Sequence, residues 1–360
     1  MNTFGHLLRL TTAGESHGPA LVGILDGFPA GLIPDLDGVQ RFMSYRAPGA
    51  DPKTGSPRKE PDRVKFLSGI YEGVTTGTPI AFMIENEDAR SEDYEYLSNA
   101  YRPSHADFTY QMKYGLRDHR GGGRASARET ALRVAAGALA LGALNHKGVR
   151  VMAYTSQIGG VKLHASPMDL EPATDCYRYS MRCPDPTVNA RMEALVRRVR
   201  EAGDTVGGVV TCIVHGLPAG VGEPVYDKLQ AMLASAMMSI NAAKGFEYGM
   251  GFEGAGRLGS ETLDYFVPDG RGGIATATNH SGGIQGGISN GNLVYFRTAF
   301  KPIATLMRDL PGINAQGQPV TLPSRGRHDA CAVVRAVPVV QAMTALTVMD
   351  AMMMSGASAW

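Results

Sequence analysis

Short apolar runs of strand length alternate along this chain with longer stretches in which apolar residues recur every three or four positions. The strand-like runs fall at 20–25, 80–84, 149–157, 209–214 and 293–296. Helix-like stretches occupy 35–44 and 225–240. Ser126-Ala-Arg-Glu129 has the spacing of a capping box and predicts an Ala/Leu-rich helix that reaches about His146 and stops near Gly148. Asp185-Pro186 predicts a second amphipathic helix running to about Ala202, with Gly203 just beyond. Pro338 is placed to begin a last helix carrying Met343, Met349, Met352, Met353 and Met354. Strands and helices alternating over long intervals predict an α/β or α+β layered fold. No low-complexity tract or long linker divides residues 1–360, so one continuous domain is expected.

The pattern also repeats itself. Gly27-Phe-Pro-Ala-Gly31, followed by Pro34, Asp37, Val39 and Gln40, echoes Gly216-Leu-Pro-Ala-Gly220, followed by Pro224, Asp227, Leu229 and Gln230, with one residue inserted. Each copy lies between a strand-like run and a helix-like one. Chance likeness of Gly/Pro turns is one reading; a duplicated strand-turn-helix unit, giving two pseudo-equivalent halves, is the one adopted here.

Composition narrows the function classes. Lys and Arg number 35 against 34 Asp and Glu, so no overall positive charge points to nucleic acid or an anionic membrane, and any anion site must be local. Cys176, Cys183, Cys212 and Cys331 show neither disulfide-scaffold density nor paired metal spacing; reduced thiols and no metal site are expected. No run of about 18 apolar residues and no secretory leader pattern is evident, so a cytoplasmic protein is expected. Glycine stands out, at 45 of 360 residues against a usual roughly 7%.

Local charge is concentrated between Arg102 and Arg133, where seven Lys/Arg residues face Asp107, Asp118 and Glu129, a net of +4. Inside that segment Gly121-Gly-Gly123-Arg124-Ala125-Ser126 leads into the capped helix, so free backbone N–H groups and a positive dipole end converge on a candidate anion site. The plainer alternative is a solvated basic face. No Lys-Ser/Thr follows the glycines, which disfavours a P-loop, and Gly249-Met-Gly-Phe-Glu-Gly254 lacks a clear strand before it and helix after it, so it reads as a chance dinucleotide fingerprint. His17, in Gly14-Glu-Ser-His-Gly18, and His105, in Arg102-Pro-Ser-His-Ala-Asp107, are candidate proton donors. His6, His119, His146, His164, His215 and His328 are assigned surface or structural roles, and His280 stays open between ligand contact and turn support. The stretch 279–291 is too glycine-rich for a plain helix or strand and is expected to wrap closely around something flat or phosphorylated. Lys301-Pro-Ile-Ala-Thr305 and Arg325-Gly-Arg-His-Asp329 complete the candidates. Spacing alone reaches an enzyme acting on a phosphorylated anion.

Three long segments, 14–29, 123–137 and 327–338, together with Arg102-Pro-Ser-His-Ala-Asp107, Ser239-Ile-Asn-Ala-Ala-Lys-Gly245 and Asn279-His-Ser-Gly-Gly-Ile-Gln-Gly-Gly287, resemble the chorismate synthase family from end to end. The resemblance implies an α+β, single-domain β-α-β sandwich with internal pseudo-symmetry, usually a homotetramer. It implies anti-1,4-elimination of phosphate from 5-enolpyruvylshikimate 3-phosphate, with FMN that must be reduced although the reaction is redox-neutral, and with NADPH at most as the reductant of that flavin. Residue by residue, His17 matches the proton donor to the leaving phosphate, His105 the group beside the flavin's N1/C2 edge, and Asp329 the carboxylate near flavin N5. Arg46, Arg102, Arg128 and Arg327 match substrate-holding arginines, Arg46 and Arg327 also touching cofactor. Arg124, Ala125, Ser126, Asn241, Ala242, Gly286 and the loop Lys301, Pro302, Ile303, Ala304 and Thr305 match FMN contacts.

The chain departs from the family pattern at Tyr45-Arg-Ala-Pro-Gly49, where three consecutive arginines are usual, leaving Arg46 alone and Lys53, Arg58 or Lys59 as possible substitutes. Two rival classes are an NADPH-dependent flavin reductase and a nucleotide- or RNA-binding protein that uses the basic loop.

Overall fold

The computed structural model describes residues 1–47, 60–87, 91–170, 174–270, 272–324 and 329–356. Its first half contains strands β1 (Arg9–Ala13) and β2 (Ala20–Asp26), helix α1 (Leu36–Arg46), strands β3 (Val64–Phe66) and β4 (Ile80–Glu85), the short helix α2 (Asp107–Tyr114) and helix α3 (Thr130–His146). The second half contains β5 (Arg150–Ile158), α4 (Pro186–Glu201), β6 (Gly208–His215), α5 (Leu229–Met238), β7 (Ala243–Tyr248), β8 (Val294–Phe300) and α6 (Val333–Met354).

Each half builds one antiparallel sheet. The first runs Thr3–Phe4, β1, β2, β4, β3; the second runs Val161–Lys162, β5, β6, β8, β7. The four inner positions correspond, β1, β2, β4, β3 matching β5, β6, β8, β7, with α1 matching α5 and α3 matching α6; the edge strands differ, since Thr3–Phe4 precedes β1 and Val161–Lys162 follows β5. Alternation explains the inner faces: Leu21 and Leu25 of β2 are buried, while Val22 and Ile24 point outward. Helix α3 packs on β1, β2 and β4, α6 packs on β5 and β6, and the two helices pack on each other. A helical layer therefore lies between two sheets, the expected β-α-β sandwich. Because it is covered on both sides, α3 buries Ala131, Leu132, Val134, Ala135, Leu139 and Ala140 all round its axis. α6 is long and apolar enough to cross a membrane by length and composition, but it is buried inside the protein over most of its length.

The echo extends further than the Gly/Pro turn. Residues 68–80 and 282–294 form matching hairpins, with positive φ at Gly69 and Gly283 (80° and 79°), Glu72 and Gly286 (48° and 64°), Gly73 and Gly287 (80° and 100°), and Gly77 and Gly291 (79° and 89°). In the first, Thr75 Oγ1 donates to Pro29 O at 2.7 Å and accepts from Leu32 N at 3.0 Å. In the second, Ser289 Oγ donates to Pro218 O at 2.6 Å and accepts from Val221 N at 2.9 Å. Gly283, Gly287 and Gly291, within the 279–291 stretch, thus have a conformational reason in a duplicated turn, whereas the position of Gly286 is held by Glu72 in the other copy.

Three expectations change. α6 starts at Val333, five residues before Pro338, so the proline sits inside the helix and removes one backbone bond from an otherwise continuous, well-packed element. Ser126 caps a short 3-10 turn, Ala127–Glu129, by accepting from Arg128 N at 3.3 Å; Glu129 pairs with Arg133 one helical turn on at 2.9 Å, so the reciprocal half of the capping box is not made. A strand, β7, does precede the 249–254 glycines, but a 3-10 turn and no α-helix follows, so no dinucleotide-binding unit is formed. Asp185 behaves as expected, its carboxylate accepting from Val188 N at 2.7 Å with Pro186 at the first helical position.

Candidate active site

The C-terminal ends of α1 and α5 and the N-terminal ends of α3 and α6 face one cavity of about 1630 Å³. Each half of the sandwich thus offers its equivalent elements to the same space. His17, His105, Asp329, Arg46, Arg102, Arg128, Arg124, Ala125, Ser126, Asn241, Ala242 and Lys301 to Thr305 all line it. Gly286 lies in the second hairpin, away from that lining. Arg327, His328, Lys53, Arg58 and Lys59 lie outside the described residues. Among the described residues nine Lys/Arg and six Asp/Glu side chains line the cavity, so its field favours an anion.

His17 is buried on the turn after β1. Its Nδ1 lies 2.9 Å from Ser16 Oγ, and its ring meets Tyr94 edge-on at 5.0 Å. A Cβ at Gly121 would overlap the His17 ring, and one at Gly122 would crowd His105 Cε1 at 3.1 Å. The glycine run therefore serves here to bring backbone against both imidazoles.

The arginines are held from behind by carboxylates that composition alone did not single out. Arg46, 1% exposed, and Arg128 both pair with Asp62, which is equally buried. Arg128 also donates to Asn86 Oδ1 at 2.8 Å and Glu85 O at 3.1 Å, and lies 3.5 Å from Glu60. Burial raises the cost of charge on Asp62, but the two guanidiniums outweigh it and hold its carboxyl below the usual range. Burial lowers the pKa of Arg46 despite that partner. Arg102 forms a fork with Asp107, Nε to Oδ2 and Nη2 to Oδ1, both at 2.8 Å. Burial opposes ionisation of Asp107 too, but Arg102 and His105 hold it well below the carboxylate range. Arg335, in the first turn of α6, donates to Asp329 Oδ2 at 2.6 Å and to Arg46 O at 2.9 Å.

The opposite wall suits a planar, hydrogen-bonding ligand. Asn241 Nδ2 donates to Ala125 O at 2.9 Å, while its buried Oδ1 has no partner among the described residues and is available to an N–H from a ligand. Ala242 has φ +67°, a left-handed conformation that costs roughly 1–2 kcal/mol in a non-glycine residue. Ser104 (φ +55°) and Asp62 (φ +47°) are likewise left-handed, so half of the described non-glycine residues of this kind adjoin the cavity. Lys301 Nζ donates to Ser104 O at 3.0 Å and joins the two loops; burial, then Lys244, lowers its pKa. Arg124 is fixed by Thr12 Oγ1 at 2.8 Å, which anchors the Ala125-Ser126 turn.

A family model described as chorismate synthase matches residues 8–353. The chain belongs to the chorismate synthase family. It is 53% identical over 350 residues to the chorismate synthase of Parabacteroides distasonis, covering 97% of both chains, and 53% over 353 residues to that of Bacteroides thetaiotaomicron, with the same coverage. A crystal structure of chorismate synthase superposes with TM-score 0.77 at 30% identity, covering 97% of this chain and 93% of the other. Members of this family are lyases that complete the shikimate pathway and work with a reduced flavin.

Against that family, the departure at Tyr45 has a local cause. Tyr45 stacks on Tyr177 at 4.0 Å and 11°, with the Arg182 guanidinium 5.6 Å and 5.3 Å from the two rings, and it does not line the cavity. The residues that sequence reasoning passed over are Asp62, Glu60, Asn86 and Arg335. Glu60-Pro-Asp62 was visible as two acids beside a basic stretch, and Arg335 lay within a family segment, but Asp62 meets Arg46 across 16 positions and Arg335 meets Arg46 across 289. Of the other histidines, His119 lines the cavity, its Nε2 3.5 Å from Glu95, whereas the backbone N–H of His280 donates to Asp264 at 2.7 Å in a turn.

Proposed function

We propose that this cavity carries out the family's elimination, taking 5-enolpyruvylshikimate 3-phosphate to chorismate and phosphate, with His17, His105 and Asp329 as its proton-handling groups. The observation that carries this reading is the meeting of two imidazoles, a carboxylate and several guanidiniums around one net-positive cavity. FMN fits the wall formed by Arg124, Ala125, Ser126, Asn241, Ala242 and Lys301 to Thr305, and when bound and reduced it supplies transient electron density to the substrate. Arg102 and Arg128, with Arg46 behind them, bind the substrate's phosphate and carboxylates through the guanidinium N–H groups their protein partners leave over. His17 donates a proton as the C–O bond breaks and its electron pair leaves with phosphate. Asp329 takes the C6 proton, whose bonding pair enters the new diene. Arg335 keeps that carboxylate oriented. His105 exchanges a proton or a hydrogen bond with the ligands from the other side.

We infer a homotetramer in the cytoplasm, with no nucleic acid or membrane partner and with NADPH acting only as a source of electrons for FMN. Phe252, Leu258, Leu263, Tyr265, Phe266 and Ile274 are exposed along one excursion between β7 and β8, a pattern that suits a subunit interface. The lyase reading is tested by incubating the chain with the ester and chemically reduced FMN without oxygen. Chorismate and phosphate should form one for one. NADPH oxidation in air with no chorismate formed would favour a flavin reductase instead.

A further inference from the structure

We propose that Asp107 is a positioning residue that sets the tautomer of His105 and the fork of Arg102 together. The proposal rests on the reading of those two groups as members of the site. Asp107 opens α2 and is 3% exposed. Its Oδ2 accepts from the Arg102 backbone N–H at 3.1 Å and from Nε at 2.8 Å; its Oδ1 accepts from Nη2 at 2.8 Å. The same Oδ1 lies 2.9 Å from His105 Nδ1, and Arg117 Nη1 stands 3.6 Å away. Nδ1 is buried and makes no aligned hydrogen bond with any described residue, Asp107 included; the Asp107 carboxylate at 2.9 Å is nonetheless the charge that faces it and the acceptor its proton can turn to, so Asp107 is the group that biases its protonation.

An ionised carboxylate accepts and does not donate. Facing it, Nδ1 carries the proton, and Nε2 becomes the ring nitrogen that exchanges a proton or hydrogen bond with the site. Nε2 lies on the side of the ring nearest Gly122, where a Cβ would stand 3.4 Å from it. A residue that only anchored the start of α2 would need one donor partner. Asp107 instead binds a guanidinium along both oxygens and turns one of them to an imidazole, so a shift in either group is felt by the other.

Asp107→Asn separates these roles. Its amide oxygen is claimed by the Arg102 donors, which leaves the NH₂ facing His105 Nδ1 and moves the imidazole proton to Nε2. Long-range ¹H–¹⁵N correlation of the ligand-free chain, at a pH where His105 is neutral, should show Nδ1 protonated in the wild type and Nε2 protonated in Asp107→Asn. In steady state the variant should lose about 10²-fold in kcat, the scale of a proton-handling group held in the wrong tautomer. That kcat penalty should vanish in a His105→Ala background, while the rise in KM that arises through Arg102 persists there. A wild-type spectrum with Nε2 protonated would overturn the proposal without any variant, as would an equal kcat penalty with and without His105. Full turnover by His105→Ala alone would overturn the role given to His105, and the spectra would still decide whether Asp107 sets its tautomer.

Discussion

Asp62 shows what one buried residue contributes at this site. It holds two guanidiniums that are themselves buried, and removing one partner from such a cluster leaves charge unpaired away from water, at a cost of about 3–5 kcal/mol. Asp62→Asn should therefore lower the unfolding free energy, read from urea denaturation at pH 7, by that amount. The folded-state carboxyl lies below its ordinary 3.8, so its contribution is present above that value and is lost as pH falls through the folded value. The gap between wild type and variant should narrow in acid; a gap that widened below pH 4 would contradict the assignment. His17→Ala and His105→Ala should each reduce turnover about 10²-fold or more, with folding retained. His146→Ala, on the exposed end of α3, should change little. Arg102→Ala and Arg128→Ala should weaken substrate binding by about 2–5 kcal/mol, measured by titration. The two histidines were legible because glycines and a basic segment flank them. Asp62 was not, since a carboxylate sixteen residues beyond Arg46 becomes a partner only when the chain after α1 returns beside the helix.

At the scale of elements, the duplicated hairpins repeat one solution with different residues. Thr75 and Ser289 each satisfy a proline carbonyl and a backbone N–H at the turn that follows a central strand. Thr75→Val and Ser289→Ala should each destabilise the chain by about 1–3 kcal/mol, read from chemical denaturation, because those backbone groups lose their partner. Equal stability of both variants would mean that water replaces the hydroxyl. The Gly-Pro echo was readable because glycine and proline tolerate few exchanges at such turns. The hairpin echo was obscured where Glu72 takes a left-handed conformation that Gly286 occupies in the other copy. Helix limits misled at Pro338, since burial between sheets compensates for one missing hydrogen bond, a condition that local sequence does not disclose.

Across the whole molecule, the two sheets and the helical layer bring α1, α3, α5 and α6 together so that one net-positive cavity lies where the halves meet. Strand candidates followed from periodicity, which left the class open between α/β and α+β, and the family resemblance implied α+β; the sheet order, and with it the contact of Arg335 with Arg46, depends on pairings between distant strands. Substrate affinity should fall as salt rises, since the cavity opens to solvent through charged walls. The central claim is that this cavity removes phosphate only with a reduced flavin in place, and phosphate release measured in one anaerobic sample tests it most directly. Chain, ester and oxidised FMN should release no phosphate, and photoreduction of the same sample should start release at once. Release before photoreduction, or none after it, would contradict the account.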